Sequence, residues 1–106
     1  LGILSNVDDD LLAETIRHFT VDFDLIITAQ QVRSYKPKLA HFLTARNAIG
    51  NARWVHAAQS FFHDVIPATA LNIPVAWVNR NSEPPLTDAR PDFEVHDLAE
   101  LAKLLT

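Results

Sequence analysis

Short apolar runs alternate with amphipathic stretches along the whole chain, and this alternation constrains the fold more than any other feature. Short apolar runs are typical of strands buried on both faces, and the stretches between them repeat apolar residues at helical spacing. Strands that alternate with helices form a parallel sheet, because each helix carries the chain back to the start of the next strand. The sequence therefore predicts an α/β fold in which helices flank a parallel sheet.

The predicted elements follow one another without an internal repeat. Strands are predicted at residues 2–5, 24–28, 53–58, 74–79 and 92–95, and helices at residues 9–19, 37–49, 64–71 and 97–106. The proline-rich stretch at residues 79–91 has few large apolar side chains and is predicted to be a surface loop. We interpret residues 1–106 as part of one domain.

Local signals mark the ends of these helices. The acidic run DDD at residues 8–10 supplies an N-cap and favourable first-turn charges for the first helix. Pro37 suits the first position of the second helix, which Gly50 terminates. Pro67 is tolerated in the first turn of the third helix, and Asp97 caps the last.

Composition excludes several classes of function. The 106 residues carry 9 basic and 13 acidic side chains and no basic run that could neutralise phosphates, so we expect no nucleic-acid partner. No apolar stretch approaches the roughly 20 residues that span a bilayer, so we expect no membrane partner. The absence of cysteine excludes disulfides and thiolate metal sites and favours a cytoplasmic location.

Polar clusters lie at three junctions between predicted strands and helices. Ser5 and Asn6 follow the first strand, SYKP at residues 34–37 precedes the second helix, and AQSFFHD at residues 58–64 follows the third strand. In an open parallel sheet, ligands gather where strands end and helices begin. The three clusters are therefore the candidate site.

Lys36 carries the strongest signal of these clusters. A lysine beside a helix N-terminus opposes the helix dipole by about 0.3–1 kcal/mol, and a bound anion would explain its placement. A solvated lysine that happens to precede Pro37 is the alternative. Ser5 and Asn6 can donate hydrogen bonds to an anion or serve a local turn. Asp64 could order Lys36, bind a cation or cap the following helix.

The two histidines in and just before the third cluster give no metal-site signal. His56 and His63 are not at the spacing of paired ligands on one helix face, and no cysteine completes a zinc set. We interpret both as packing or surface residues.

Taken in order, the clusters resemble the motifs of the haloacid dehalogenase (HAD) superfamily over nearly the whole chain. LGILSN resembles its second motif, a Ser or Thr at a strand end, and SYKP resembles its third, the lysine that pairs with a nucleophilic aspartate. AQSFFHD lies where many members have Gly-Asp and then a second Asp. PVAWVNR and PDFEVHDLAELAKLL are similar to the end of the type II haloacid dehalogenase-like branch. The resemblance implies a Rossmann-like core.

The resemblance also implies a role for each site residue. Lys36 would stabilise the nucleophile, Asp64 would position Lys36 or organise the site, and Ser5 would act with them in catalysis. An aspartate would displace halide from a small 2-haloacid to form an ester, which water then hydrolyses. The residues implied to hold the small anionic substrate are Ser5, Asn6, Gln59 and Ser60.

Two parts of the superfamily pattern lie upstream of these motifs and are not in this sequence: the nucleophilic aspartate and the inserted helical cap. The acidic residues 8–10 follow the second-motif serine and are better explained as a helix start. The resemblance thus implies the C-terminal part of a core domain, with a sheet that lacks its central, nucleophile-bearing strand. We expect the chain alone to be inactive, and its open sheet edges to pair with the missing N-terminal half or with a second copy.

Gln59 bears on which reaction the parent protein catalyses. It stands where magnesium-dependent phosphatases of the superfamily place an aspartate, so Asp64 is the one carboxylate that this segment would offer a cation. Metal-independent dehalogenation without a cofactor is therefore favoured, although dehalogenases tend to carry Ser and Asn at the positions of Gln59 and Phe61. The alternatives are a Mg²⁺-dependent phosphatase and a non-catalytic interaction remnant.

Overall fold

The computed structural model describes all 106 residues, which divide into two compact units, Leu1–Asn51 and Ala52–Thr106. The first unit contains strands β1 (Gly2–Ser5) and β2 (Leu25–Thr28) and helices α1 (Asp9–Ile16), α2 (Ala29–Val32) and α3 (Ala40–Ile49). The second contains strands β3 (His56–Ala58), β4 (Val75–Val78) and β5 (Phe93–Val95), a π-helical segment (Phe61–Val65), and helices α4 (Ile66–Ala70) and α5 (Leu98–Leu105). All strand pairs are parallel, so the predicted α/β class is confirmed, in the form of two small sheets.

The first unit is built on the parallel pair of β1 and β2. The last pair of this ladder joins Ser5 to Thr28, so both strands end at the same edge. Helix α3 packs against both strands and contributes Phe42 and Ala45, which are fully buried, to the core. Asn6 follows β1 directly at this edge, and the loop that carries Lys36 comes back to it.

Asp9 ties the start of α1 to the end of β2. Its Oδ1 accepts hydrogen bonds from Thr28 Oγ1 at 2.8 Å and from Gln31 Nε2 at 3.0 Å. Asp8 occupies the N-cap position, but its side chain makes no capping hydrogen bond. The acidic run thus begins the helix as predicted, while its carboxylate contacts hold elements together instead of capping α1.

The second predicted helix begins later than its sequence suggests. Helix α3 starts at Ala40, so the prediction that Pro37 occupies its first position was wrong. The Lys38 N–H donates to the Tyr35 carbonyl at 3.0 Å, and this bond closes a turn around the proline. The fixed φ of proline suits a turn as well as a helix start, so its position alone does not distinguish them.

The ends of the first-unit helices follow local backbone geometry. Gly50 terminates α3 as predicted, with a φ of 64° that disfavours side chains. Helix α1 ends at Ile16 instead of residue 19. The N–H groups of His18 and Phe19 donate to carbonyls three residues back, so the chain tightens beyond the α-helix.

The second unit has β4 at the centre of its sheet, between β3 and β5. All four residues of β4 are buried, as expected for a central parallel strand. Its Ala76 and Val78 form a buried cluster with Val95 of β5 and Leu101 of α5. Strand β3 begins at His56 rather than at residue 53. No helix in the structure has both the length and the apolar character needed to cross a membrane.

The third predicted helix begins with a wider turn. Residues Phe61–Val65 are π-helical, and α4 continues from Ile66. Pro67 lies in the first turn of α4, as predicted. The hydroxyl of Ser60 accepts from the His63 N–H at 3.0 Å and caps this start. The helical region therefore begins earlier than the predicted residue 64.

Helix α5 offers a direct test of a predicted cap. The Asp97 carboxylate accepts from the Glu100 N–H at 2.8 Å, as the sequence indicates. We expect Asp97→Ala to lower the free energy of unfolding by about 1 kcal/mol, while Asp97→Asn, which keeps a capping oxygen, changes it by a few tenths. Urea unfolding of the two variants measures the difference, and equal losses would contradict the capping role.

Candidate functional site

In the first unit, the structure brings two of the predicted polar clusters together. Ser5 ends β1, and its hydroxyl accepts from the Val7 N–H at 3.2 Å in a local turn. The Asn6 side chain forms two hydrogen bonds with the backbone of Lys36: its Oδ1 accepts from the N–H at 2.7 Å, and its Nδ2 donates to the carbonyl at 3.2 Å. The second and third motif segments are therefore in direct contact.

Lys36 is half-buried, and its ammonium lies at the carboxyl end of β1. The Nζ atom donates to the Leu4 carbonyl at 3.0 Å. The expectation that Lys36 directly precedes a helix was wrong, because α3 begins only at Ala40. The ammonium is thus held by a hydrogen bond to the end of β1, and it does not lie beside the N-terminus of α3.

His41 belongs to the same cluster and was not singled out from the sequence. Its side chain is fully buried, and its Nε2 lies 2.7 Å from the Ser5 carbonyl. Because a carbonyl only accepts, Nε2 carries the proton of this hydrogen bond. The available signal was its place beside Phe42 and Ala45 on the buried face of α3, where a polar side chain needs a partner.

In the second unit, Asp64 is buried and paired with a histidine. Its Oδ1 lies 2.9 Å from His56 Nε2, and the side chains are 7% and 9% exposed respectively. Since Ser60 caps this helical region, Asp64 is not its N-cap. Helix capping therefore does not explain Asp64, and His56 does more than fill space, because it supplies a hydrogen bond to a buried carboxylate.

Gln59 and Ser60 follow β3 directly, at the strand's carboxyl end. The Gln59 carbonyl accepts from the indole N–H of Trp77 at 2.9 Å, and Trp77 in turn packs edge-to-face on Phe61 with ring centroids 4.8 Å apart. The Ser60 Oγ lies 2.9 Å from Nδ1 of the exposed His63. The backbone of Gln59 is thus anchored, and its exposed side chain follows the end of the strand.

Each cluster has a distinct chemical capacity. The cluster in the first unit places the ammonium group of Lys36 and the hydroxyl of Ser5 at the end of β1, and this combination binds carboxylate or phosphate oxygens. The cluster in the second unit contains one buried carboxylate, that of Asp64, which is hydrogen-bonded to His56. No three histidine, cysteine or acidic side chains gather in the structure where they could hold a metal ion.

Comparisons with known proteins find matches among solved structures. Neither a family model nor a curated protein matches the chain. An L-2-haloacid dehalogenase superposes with a TM-score of 0.88 and 26% identity, covering 99% of this chain and 48% of that one. A HAD phosphatase from Thermococcus onnurineus gives 0.79 and 28%, covering 99% and 49%.

A further match is the L-2-haloacid dehalogenase from Xanthobacter autotrophicus with chloropropionic acid covalently bound. Its TM-score is 0.85 at 24% identity, over 98% of this chain and 54% of that one. The chain thus spans about half the length of the enzymes that it matches. The predicted resemblance is confirmed: this chain has the fold of the haloacid dehalogenase superfamily and matches part of the length of its L-2-haloacid dehalogenases.

Proposed function

We propose that this chain is part of a haloacid dehalogenase-like hydrolase that cleaves the carbon–halogen bond of a small 2-haloacid. The observation that carries the proposal is the cluster at the end of β1, where the Lys36 ammonium and the Ser5 hydroxyl follow the same strand. Structural likeness to dehalogenases and to a HAD phosphatase supports a hydrolase of this superfamily. The choice of substrate is our inference from the site residues.

In the proposed mechanism, the residues of this chain bind and stabilise charge. The Lys36 ammonium attracts the carboxylate nucleophile and keeps it ionised, and the Ser5 hydroxyl donates a hydrogen bond to the carboxylate of the substrate. The nucleophile displaces halide and forms an ester, and water then cleaves that ester, which releases the 2-hydroxy acid and regenerates the carboxylate. Asp64 is held by His56 and would orient the polar groups next to it in the second unit.

The acidic residues that follow β1 are not suited to act as this nucleophile. The Asp9 carboxylate already accepts hydrogen bonds from Thr28 and Gln31 and links three elements of the first unit. Attack on a substrate would require breaking these contacts. The resemblance to the superfamily implies a nucleophile upstream of the second motif, so we infer that it lies outside residues 1–106.

A magnesium-dependent phosphatase is the second candidate, supported by the HAD phosphatase among the structural matches. Mg²⁺ prefers several oxygen ligands, usually carboxylates and waters. Residues 56–64 contain a single carboxylate, that of Asp64, and its Oδ1 is bonded to His56. The donor set of this segment does not fit Mg²⁺, which favours the dehalogenase.

Product release by the complete protein that contains this chain distinguishes the candidates. We expect halide release from 2-chloropropionate that continues in the presence of a chelator, and no phosphate release from p-nitrophenyl phosphate. Phosphate release that a chelator abolishes would reject the dehalogenase in favour of the phosphatase. Release of neither product above the level of a Lys36→Ala control would support a non-catalytic protein.

A further inference from the structure

Three consecutive residues at the end of β1 are bonded to the segment that follows β2. The Leu4 carbonyl accepts from Lys36 Nζ, the Ser5 carbonyl accepts from His41 Nε2, and the Asn6 side chain bonds the backbone of Lys36. The partners are at least 30 positions apart in sequence. These contacts are long-range and hold the lysine at both its backbone and its ammonium end.

The geometry of the Asn6 amide is specific to the backbone of one residue. Its oxygen accepts from the Lys36 N–H and its nitrogen donates to the Lys36 carbonyl, so a single side chain satisfies both polar groups of that residue. Two opposed hydrogen bonds restrict sliding as well as rotation of the residue they hold. Ordinary turn formation by an asparagine uses neighbouring backbone groups, which these are not.

A lysine side chain has about 2 kcal/mol of rotamer entropy, so its backbone must be fixed before its ammonium can be held at one place. Catalytic groups also tolerate little displacement, since a shift of about 1 Å can cost about 10²-fold in rate. We propose that Asn6 is a positioning residue, which holds the backbone of Lys36 and thereby fixes the Lys36 ammonium at the end of β1. The catalytic consequence of this role rests on the proposed function, whereas the positioning itself does not.

The competing role for Asn6 is direct binding of the substrate anion through its amide. The two roles predict different kinetics. A lost substrate ligand raises KM and leaves kcat nearly unchanged, whereas a displaced lysine lowers kcat and leaves KM nearly unchanged. In the complete protein, we expect Asn6→Ala to lower kcat by about 10²-fold and to change KM by less than about twofold.

A second readout is independent of turnover. Acylation of lysine amines, followed by peptide mass spectrometry, reports how readily each ammonium leaves its contacts. We expect Lys36 to be acylated about fivefold faster in Asn6→Ala than in the wild type, because the half-buried amine loses part of its restraint. Lys103 of α5, in the other unit, serves as the internal reference and keeps its rate.

The matched control is Asn47→Ala, because Asn47 is an exposed asparagine of α3 in the same unit. If Asn6→Ala fails to fold, Asn6→Asp replaces it: this variant keeps an oxygen for the Lys36 N–H but loses the donor to the carbonyl, so acylation of Lys36 should still accelerate. Unchanged acylation and kcat, or a raised KM with unchanged kcat, overturns the proposal. Faster acylation in a protein with no turnover on either substrate keeps the positioning role and rejects the proposed function.

Discussion

We expect replacement of Lys36 with alanine to lower the kcat of the complete protein by about 10³-fold, because the variant loses the one ammonium group that the structure places at the end of β1. The fold should tolerate the change. The hydrogen bond from Nζ to the Leu4 carbonyl contributes about 1 kcal/mol to stability, which is a small part of the free energy of unfolding. Steady-state halide release and urea unfolding, measured on the same preparation, separate the two effects.

The control for this variant is Lys38→Ala, which removes an exposed lysine two positions along the same loop. It should leave kcat unchanged and the free energy of unfolding within about 0.5 kcal/mol of the wild type, as is usual at surface positions. A Lys36→Ala protein with wild-type kcat would show that the ammonium has no part in the reaction. An equal loss of kcat in both variants would point to the loop as a whole.

We expect replacement of His56 with alanine to lower the free energy of unfolding by about 3 kcal/mol, because the buried Asp64 carboxylate loses the hydrogen bond of the imidazole. Hydrogen exchange of amides in β3 and in the π-helical segment should report the loss locally. His63→Ala is the control, since His63 is exposed and contacts its neighbours Ser60 and Phe62. That variant should lose less than about 1 kcal/mol.

A double-mutant cycle with Asp64→Asn isolates the contribution of the pair. If the two side chains stabilise the unit through each other, the loss in the double variant is smaller than the sum of the single losses by about 1–3 kcal/mol. Additive losses would show that each residue stabilises the unit through other contacts. A His56→Ala protein within about 0.5 kcal/mol of the wild type would contradict the importance of the pair altogether.

Strand β4 was the most predictable element, because a central parallel strand is buried on both faces and demands an apolar run, which is visible in the sequence. The start of α3 was not predictable, since Pro37 suits a turn and a helix equally and the hydrogen bond from Lys38 to Tyr35 decides between them. Helix α2 was also missed, because its signal is a single Thr28 hydroxyl that caps four residues.

The candidate site, too, was predictable in part from the sequence. That Ser5 and Asn6 lie at the edge where β1 and β2 both end follows from the rule that the carboxyl ends of parallel strands share an edge. The two hydrogen bonds that Asn6 makes with the backbone of Lys36 depend on the path of a loop, which no periodic pattern encodes. The His56–Asp64 pair was likewise hidden, because neither residue has a sequence spacing that marks a known pair.

The π-helical segment bears on how this chain should be aligned with other proteins. The Val65 N–H reaches back to the Ser60 carbonyl, five residues earlier, so this turn contains one residue more than an α-helical turn. A relative that joined the same two points by a plain α-helix would have one residue fewer between the strand end and the equivalent of Ile66. Alignments that count residues without a gap would then pair Asp64 with the wrong neighbour by one position, whereas superposition of the backbones would identify its true counterpart.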